Sequence, residues 1–154
     1  MADAPGTLTV VTNRRARYDY HLEESFEAGL VLVGSEVKAL RAGQANLQDA
    51  FVASDAEGLV LLNAYIAPYE RGGYANHEPT RPRRLLLHRR EIDKLRKGTE
   101  QKGYTIVPTR LYFRNGRAKL ALALGKGKKN YDKRETIAER DAKRSLDRLL
   151  KDRR

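Results

Sequence analysis

The chain has 154 residues, 31 of them Lys or Arg against 20 Asp or Glu, for a net charge of +11. This length suits one domain plus an extension, and the positive balance points to nucleic acid or an anionic membrane surface. No long apolar run and no signal-peptide pattern at Met1–Gly6 speak against the membrane, and the lack of cysteine excludes a disulfide framework or a thiolate metal site. Cytoplasmic residence is the default.

The charge is unevenly placed. The stretch Gly125–Arg154 holds twelve Lys/Arg and six Asp/Glu, so it carries +6 of the net +11. The expected organisation is a disordered lead-in over 1–7, a body over 8–124 and a basic tail over 125–154.

In chain order, Leu8–Thr12 is β-branched and reads as a strand. Asn13-Arg14-Arg15-Ala16-Arg17 is a basic break, after which Tyr18, Tyr20 and Leu22 alternate with polar residues as a half-buried strand does. Phe26–Val33 is a further apolar run in which Gly29 suggests a bulge or a close backbone approach. Gly34-Ser35 opens a short helix with Ser35 as its cap. Val37 and Leu40 share one face, Lys38 and Arg41 lie on another, and Gly43 closes the helix.

Leu47–Ser54 and Leu59–Ala67 flank Asp55-Ala-Glu-Gly58, read as a hairpin with a longer loop. Pro68–Pro82 is a Gly/Pro/Asn-rich loop. There Tyr65, Tyr69 and Tyr74 lie among Arg71, Arg81, Arg83 and Arg84. Leu85-Leu-Leu87 is too short to type by periodicity. His88–Lys97 reads as a helix ended by Gly98 or Gly103, and Asn115-Gly116 between two apolar runs is a strong type I′ hairpin signal. Six or seven short strands joined mainly by hairpins, with two short helices, make a mainly β fold. A partly open OB-type antiparallel barrel is the expected architecture.

The tail leaves the body at Gly125 and Gly127, which loosen the joint. It has helix-start patterns at Thr136/Glu139 and Asp132/Glu135 and favourable pairs Glu139/Lys143 and Asp147/Lys151. Against these, Arg140, Arg144 and Arg148 stack at i,i+4 and repel one another. The expectation is a tail mobile when free and helical when bound to a polyanion; the alternative is an ordinary solvated helix packed by Leu146, Leu149 and Leu150.

No catalytic constellation stands out. His21, His77 and His88 are far apart, the four serines sit in no nucleophile elbow, and Gly125-Lys126-Gly127 fails the phosphate-loop pattern. No enzyme, cofactor or metal site is expected. Basic residues beside aromatics suit nucleic acid better: Arg14, Arg15 and Arg17 precede Tyr18 and Tyr20, and Arg81, Arg83 and Arg84 follow Tyr74. Tyr18, Tyr20 and Tyr112 read first as barrel packing. Tyr131, inside Lys128-Lys129-Asn130 and Asp132-Lys133-Arg134, has no apolar neighbour and suits stacking on an RNA base.

These residues resemble the SmpB family, the small protein B or SsrA-binding proteins of bacterial ribosome rescue, from about Val11 to the end. The shared elements are Asn13-Arg-Arg-Ala, Phe26-Glu-Ala-Gly-Leu, Gly34-Ser-Glu-Val-Lys-Ala-Leu-Arg41, Asn76-His-Glu-Pro, Arg84-Leu-Leu-Leu-His-Arg-Arg-Glu and Gly125–Arg134. The resemblance implies an OB-type, monomeric adaptor that binds the tRNA-like domain of transfer-messenger RNA. Its tail would enter the decoding centre and empty message channel of a stalled ribosome. It implies that Glu27, Leu86 and His88 lie on the RNA-binding face, where Asn13, Arg14, Arg15, Lys38 and Arg41 are further candidates. It implies that Gly127, Lys128, Lys129, Tyr131, Asp132, Lys133, Arg134, Leu149 and Leu150 meet the ribosome, and Lys126, Arg140, Arg144 and Arg148 are further candidates by their charge. His88 could instead cap the helix toward Glu91. Glu27, a carboxylate near phosphates, must accept from a base or 2′-hydroxyl or hold a neighbouring Arg. A structural ribosomal protein with a basic extension is the competing class, and a nucleoid protein a third.

Overall fold

The computed structural model describes residues 5–69 and 76–152. In chain order they form β1 (Thr7–Thr12), α1 (Arg15–Asp19), β2 (Tyr20–Leu30), α2 (Gly34–Arg41), β3 (Ala45–Asn46), β4 (Phe51–Asp55) and β5 (Gly58–Leu62). There follow β6 (Tyr65–Ile66), β7 (Arg83–Leu86), α3 (Arg89–Thr99), β8 (Tyr104–Arg114), β9 (Arg117–Gly127) and α4 (Asn130–Asp152). Seven strands make one antiparallel sheet in the order β1-β8-β9-β2-β7-β5-β4, and β3 pairs with β6 apart from it. The ladder does not close among the described residues, which suits the expected partly open OB-type barrel.

Alternation along the long strands sorts the two faces of this sheet. Ala28 pairs with Leu120, Leu120 with Leu111, and Leu30 with Leu85, and these line the core with Phe113, Leu122, Leu59 and Leu61. Helices α2 and α3 cover this side through Ala39, Leu40, Ile92 and Leu95. The β8–β9 hairpin turns on Asn115 (φ 50°) and Gly116 (φ 80°), the two positive φ values that a type I′ turn requires.

Several expectations are corrected. Among the described residues the body has three helices rather than two. The basic break at Asn13–Arg17 enters α1, which takes in Tyr18 and Asp19; the strand starts only at Tyr20. Ala16 is buried there, and its N–H donates to the Asn13 carbonyl. The β4–β5 loop is tight, with Asp55 opposite Gly58, because the Asp55 carboxylate accepts from the N–H groups of Glu57 and Gly58. Ser35 does not cap α2; Glu36 reaches back to the Val33 N–H, while the Ser35 hydroxyl meets His77.

Gly125 and Gly127 do not loosen a joint, because β9 continues through both. Gly127 pairs with Tyr20, and a Cβ on Gly125 would lie 3.0 Å from Val107 Cγ2 and 3.2 Å from Tyr20 Cβ. The expected boundary after Leu124 therefore falls inside a strand. Beyond it, α4 is helical over Asn130–Asp152.

Candidate RNA-binding surface

The outer face of the sheet is built by the same alternation that builds the core. Gly29 pairs with both Leu86 and Lys119, and Lys119 pairs with Tyr112. Glu27 pairs with Ala121, and Ala121 with Arg110. Glu27, Leu86, Lys119, Arg110 and Tyr112 therefore share one side, joined at the hairpin end by Arg114 opposite Arg117. Leu86 is 58% exposed, and Gly29 leaves it room: a Cβ on Gly29 would stand 3.3 Å from Leu86 Cβ. His88 follows at the start of α3. Its N–H donates to Glu91 Oε1 at 3.1 Å, so it caps that helix and remains exposed.

At the centre, Tyr112 is only 2% exposed. Two guanidinium groups cover its ring, Arg110 at 4.4 Å and Arg114 at 5.5 Å. Its hydroxyl donates to Glu27 Oε2, which also takes Arg114 Nη1 at 2.5 Å. Burial first, then the Glu27 carboxylate, push the Tyr112 hydroxyl up to about 12, so it stays a donor.

Arg110, Arg114, Arg117 and Lys119 were not singled out from sequence. The signal was present: cations at 110 and 114 around an aromatic at 112, then at 117 and 119, follow the period of two on either side of the Asn115-Gly116 turn.

The other candidates disperse. The Asn13 side-chain amide donates to the Pro108 carbonyl at 2.9 Å and its N–H to the Thr109 carbonyl at 2.7 Å, which ties α1 to β8. Arg14 and Arg15 are exposed, with Arg15 near Asp19 at 3.7 Å. Arg41 lies 5.5 Å over Phe113, which faces the opposite side of the sheet from Tyr112, and Lys38 stands 5.3 Å over Tyr69. Lys38 and Arg41 thus do not join the Glu27 face, because α2 buries Ala39 and Leu40 against the core side.

The arginines after Tyr74 are engaged by carboxylates of the protein itself. Arg83 is fully buried against Glu36, and Arg84 chelates Asp55 with both terminal nitrogens at 2.8 Å. Arg71 and Tyr74 lie outside the described residues. His77 donates from Nε2 to the Ile66 carbonyl, so its Nδ1 accepts from Ser35. Among the described residues no group of three or more His, Asp or Glu could hold a metal ion, and no helix is long and apolar enough to cross a membrane.

The tail begins on a fixed base. Lys126 sits 6.0 Å over the Tyr104 ring, and Gly127 is the last residue of β9. The Lys128 N–H donates to the Asp19 carbonyl at 2.8 Å and its Nζ to the Arg17 carbonyl at 2.8 Å. Lys129, Arg134, Arg144 and Arg148 are exposed, and Arg140 lies 5.8 Å over Tyr18 of α1. Ile137 (41%) and Leu146 (57%) are open to solvent. The side chains of Tyr131, Asp132, Lys133, Leu149 and Leu150 lie outside the described residues.

The family model described as "SmpB protein" matches residues 10–152. The chain belongs to the SmpB family. Curated SmpB relatives carry the name SsrA-binding protein. That of Shouchella clausii (strain KSM-K16) is 54% identical over 144 residues, covering 94% of this chain and 92% of the relative. That of Thermobifida fusca (strain YX) is 55% identical over 149 residues, covering 97% and 93%. That of Bacillus subtilis (strain 168) is 50% identical over 140 residues, covering 91% and 90%. A solved structure described as "tmRNA-SmpB: a journey to the center of the bacterial ribosome" matches with a TM-score of 0.67 and 47% identity. It covers 82% of this chain and 93% of its own. The SmpB match spans both the sheet with its basic outer face and the helical tail.

Proposed function

We propose that this chain is a cytoplasmic adaptor that binds the tRNA-like domain of transfer-messenger RNA and delivers it to ribosomes stalled on broken messages. It catalyses no reaction of its own and needs no cofactor or metal. The body holds the RNA through the outer face around Glu27, Leu86 and His88, with Arg14 and Arg15 at its margin. The tail, from Lys126 onward, probes the decoding centre and the empty message channel. There Lys128, Lys129, Lys133, Arg134, Arg140, Arg144 and Arg148 oppose ribosomal phosphates, Tyr131 stacks on a base, and Leu149 and Leu150 dock late in the helix.

The observation that carries this function is membership of the SmpB family over 10–152, whose relatives are named for binding SsrA. Two structural features support it. One is a face where two guanidinium groups cover a buried aromatic, suited to phosphates and folded RNA. The other is a long basic helix that follows the Lys128 anchor on the body.

The test compares the full chain with a version ending at Lys129, which keeps β9 and the Lys128 anchor. Both are titrated with transfer-messenger RNA, tRNA and duplex DNA at physiological salt and assayed for rescue of stalled ribosomes. Equal preference of both for transfer-messenger RNA, with rescue only by the full chain, is the expected result. Loss of binding to all three ligands alike on truncation would make the tail a general polyanion anchor and overturn the two-part mechanism. Retention on every ribosome through a high-salt wash would mark a structural ribosomal protein instead.

A further inference from the structure

The Glu27 carboxylate is out of place on a face that must approach phosphates, unless something turns its charge to use. Its Oε2 is occupied from within the protein, by the Tyr112 hydroxyl and by Arg114 Nη1 at 2.5 Å. Arg114 is thereby held on two sides. Its guanidinium lies against the Tyr112 ring at 5.5 Å, and one nitrogen is drawn to the carboxylate. The side chain is nonetheless 41% exposed. A guanidinium has five donors in a planar fork, and one nitrogen engaged at an edge leaves others for a phosphate oxygen. Arg110 covers the same ring more closely, at 4.4 Å, so Arg114 is kept to the hairpin side, opposite Arg117.

We propose that Arg114 is a phosphate-binding residue of the RNA face, and that Glu27 acts on RNA only through it, as the positioning residue that aims the guanidinium. This rests on the function proposed above. A long, flexible arginine loses rotamer freedom when it grips a ligand; one already fixed by a carboxylate and a ring has less left to lose.

The test is a double-mutant cycle on the full chain, with the tRNA-like domain of transfer-messenger RNA as probe and the salt dependence of binding recorded. Arg114→Ala should weaken binding about tenfold and lower the slope of log affinity against log salt by about one, the mark of one lost phosphate contact. Glu27→Gln should weaken binding several-fold with the slope unchanged, since Arg114 keeps its charge but loses its ion pair. In the Arg114→Ala background, Glu27→Gln should have no further cost. Tyr112→Phe, which keeps the ring and removes one hydrogen bond to Glu27, should have a smaller effect than Glu27→Gln. Equal thermal melting of all variants excludes misfolding as the cause.

An equal loss from Glu27→Gln in both backgrounds would mean that Glu27 touches RNA directly, and would overturn the proposal. So would tighter binding on its removal, the result expected of a merely repulsive charge. Failure of the unaltered chain to prefer the tRNA-like domain over a hairpin of equal length would instead overturn the function itself, which keeps the two failures apart.

Discussion

Glu36 and Arg83 form an ion pair in which both side chains are fully buried, with Arg83 Nε 2.5 Å from Glu36 Oε2. Arg83 also donates to the carbonyls of Ala64 and Pro79, and Glu36 Oε1 takes Arg81 at 2.6 Å and the Val33 N–H at 2.9 Å. One carboxylate thus ties the start of α2 to β7 and to the end of the loop before it. Removing one member strands a buried charge, at a cost of about 3–5 kcal/mol. Glu36→Gln should lower the urea midpoint accordingly. Pairing Glu36→Leu with Arg83→Met should recover part of the loss but not all, because the Ala64 and Pro79 carbonyls stay unpartnered. An unchanged midpoint in Glu36→Gln would refute the assignment. Burial pushes the Glu36 carboxyl up, but Arg81, the Val33 N–H and Arg83 outweigh it and hold it below the usual range. This contribution to stability is complete above the ordinary carboxylate range and is lost as pH falls below it.

Asp55 should titrate far below a free aspartate. Arg84 chelates it, foremost, and with the N–H groups of Glu57 and Gly58 outweighs desolvation to bring its carboxyl to about 2. With the folded value below the ordinary 3.8, its contribution is complete above that value and is lost as pH falls through about 2. NMR titration should find the midpoint there. Arg84→Ala should move it upward; a midpoint that stays put would assign the shift to the two N–H groups alone.

Gly125→Ala should destabilise the body although the site is in a strand, where alanine has no intrinsic penalty relative to glycine. The new methyl would meet Val107 Cγ2 at 3.0 Å, Tyr20 Cβ at 3.2 Å and Leu22 Cδ2 at 3.3 Å. Crowding from three sides costs about 1–3 kcal/mol, seen as a lower melting temperature. Gly127→Ala, with nothing within 4 Å, should melt within a degree or so of the unaltered chain.

The contact of Arg140 with Tyr18 should steady the first half of α4. A cation over an exposed ring is worth about 0.5–1 kcal/mol, or roughly two- to fivefold in local opening. Tyr18→Ala should speed amide exchange in the first half of α4 by that factor and leave α3 unchanged. Arg144→Ala, which spares the contact, should not. Equal effects of the two would make general charge, not the ring, the cause.

The parts of the fold that were legible from sequence were those fixed by local rules. Asn115-Gly116 demanded one turn, and the alternation around it demanded two strands. His88 with Glu91 and an apolar pair at Ile92 and Leu95 gave α3 to within two residues. What was not legible depended on partners far along the chain. Arg83 reads as one more surface cation until Glu36, 47 positions away, is brought against it. The basic break at Asn13 became a helix because β8 offers the Pro108 and Thr109 carbonyls to Asn13. Among the candidate residues, Glu27 and Leu86 share one side of the sheet, whereas Lys38 and Arg41 lie on α2, which packs on the other. The cations that share the side of Glu27 were hidden because each, alone, is an ordinary strand residue.

Lys128 grips α1 twice, by its backbone and by its ammonium group, just before α4 begins. A helix of 23 residues reaches about 35 Å at 1.5 Å per residue. On such a lever a tilt of about 10° at the fulcrum sweeps the far end through roughly 6 Å, the height of a helical turn. The aim of the tail is therefore set by a five-residue helix on the body, and a small rotation of α1 would be magnified into a large displacement at Arg148.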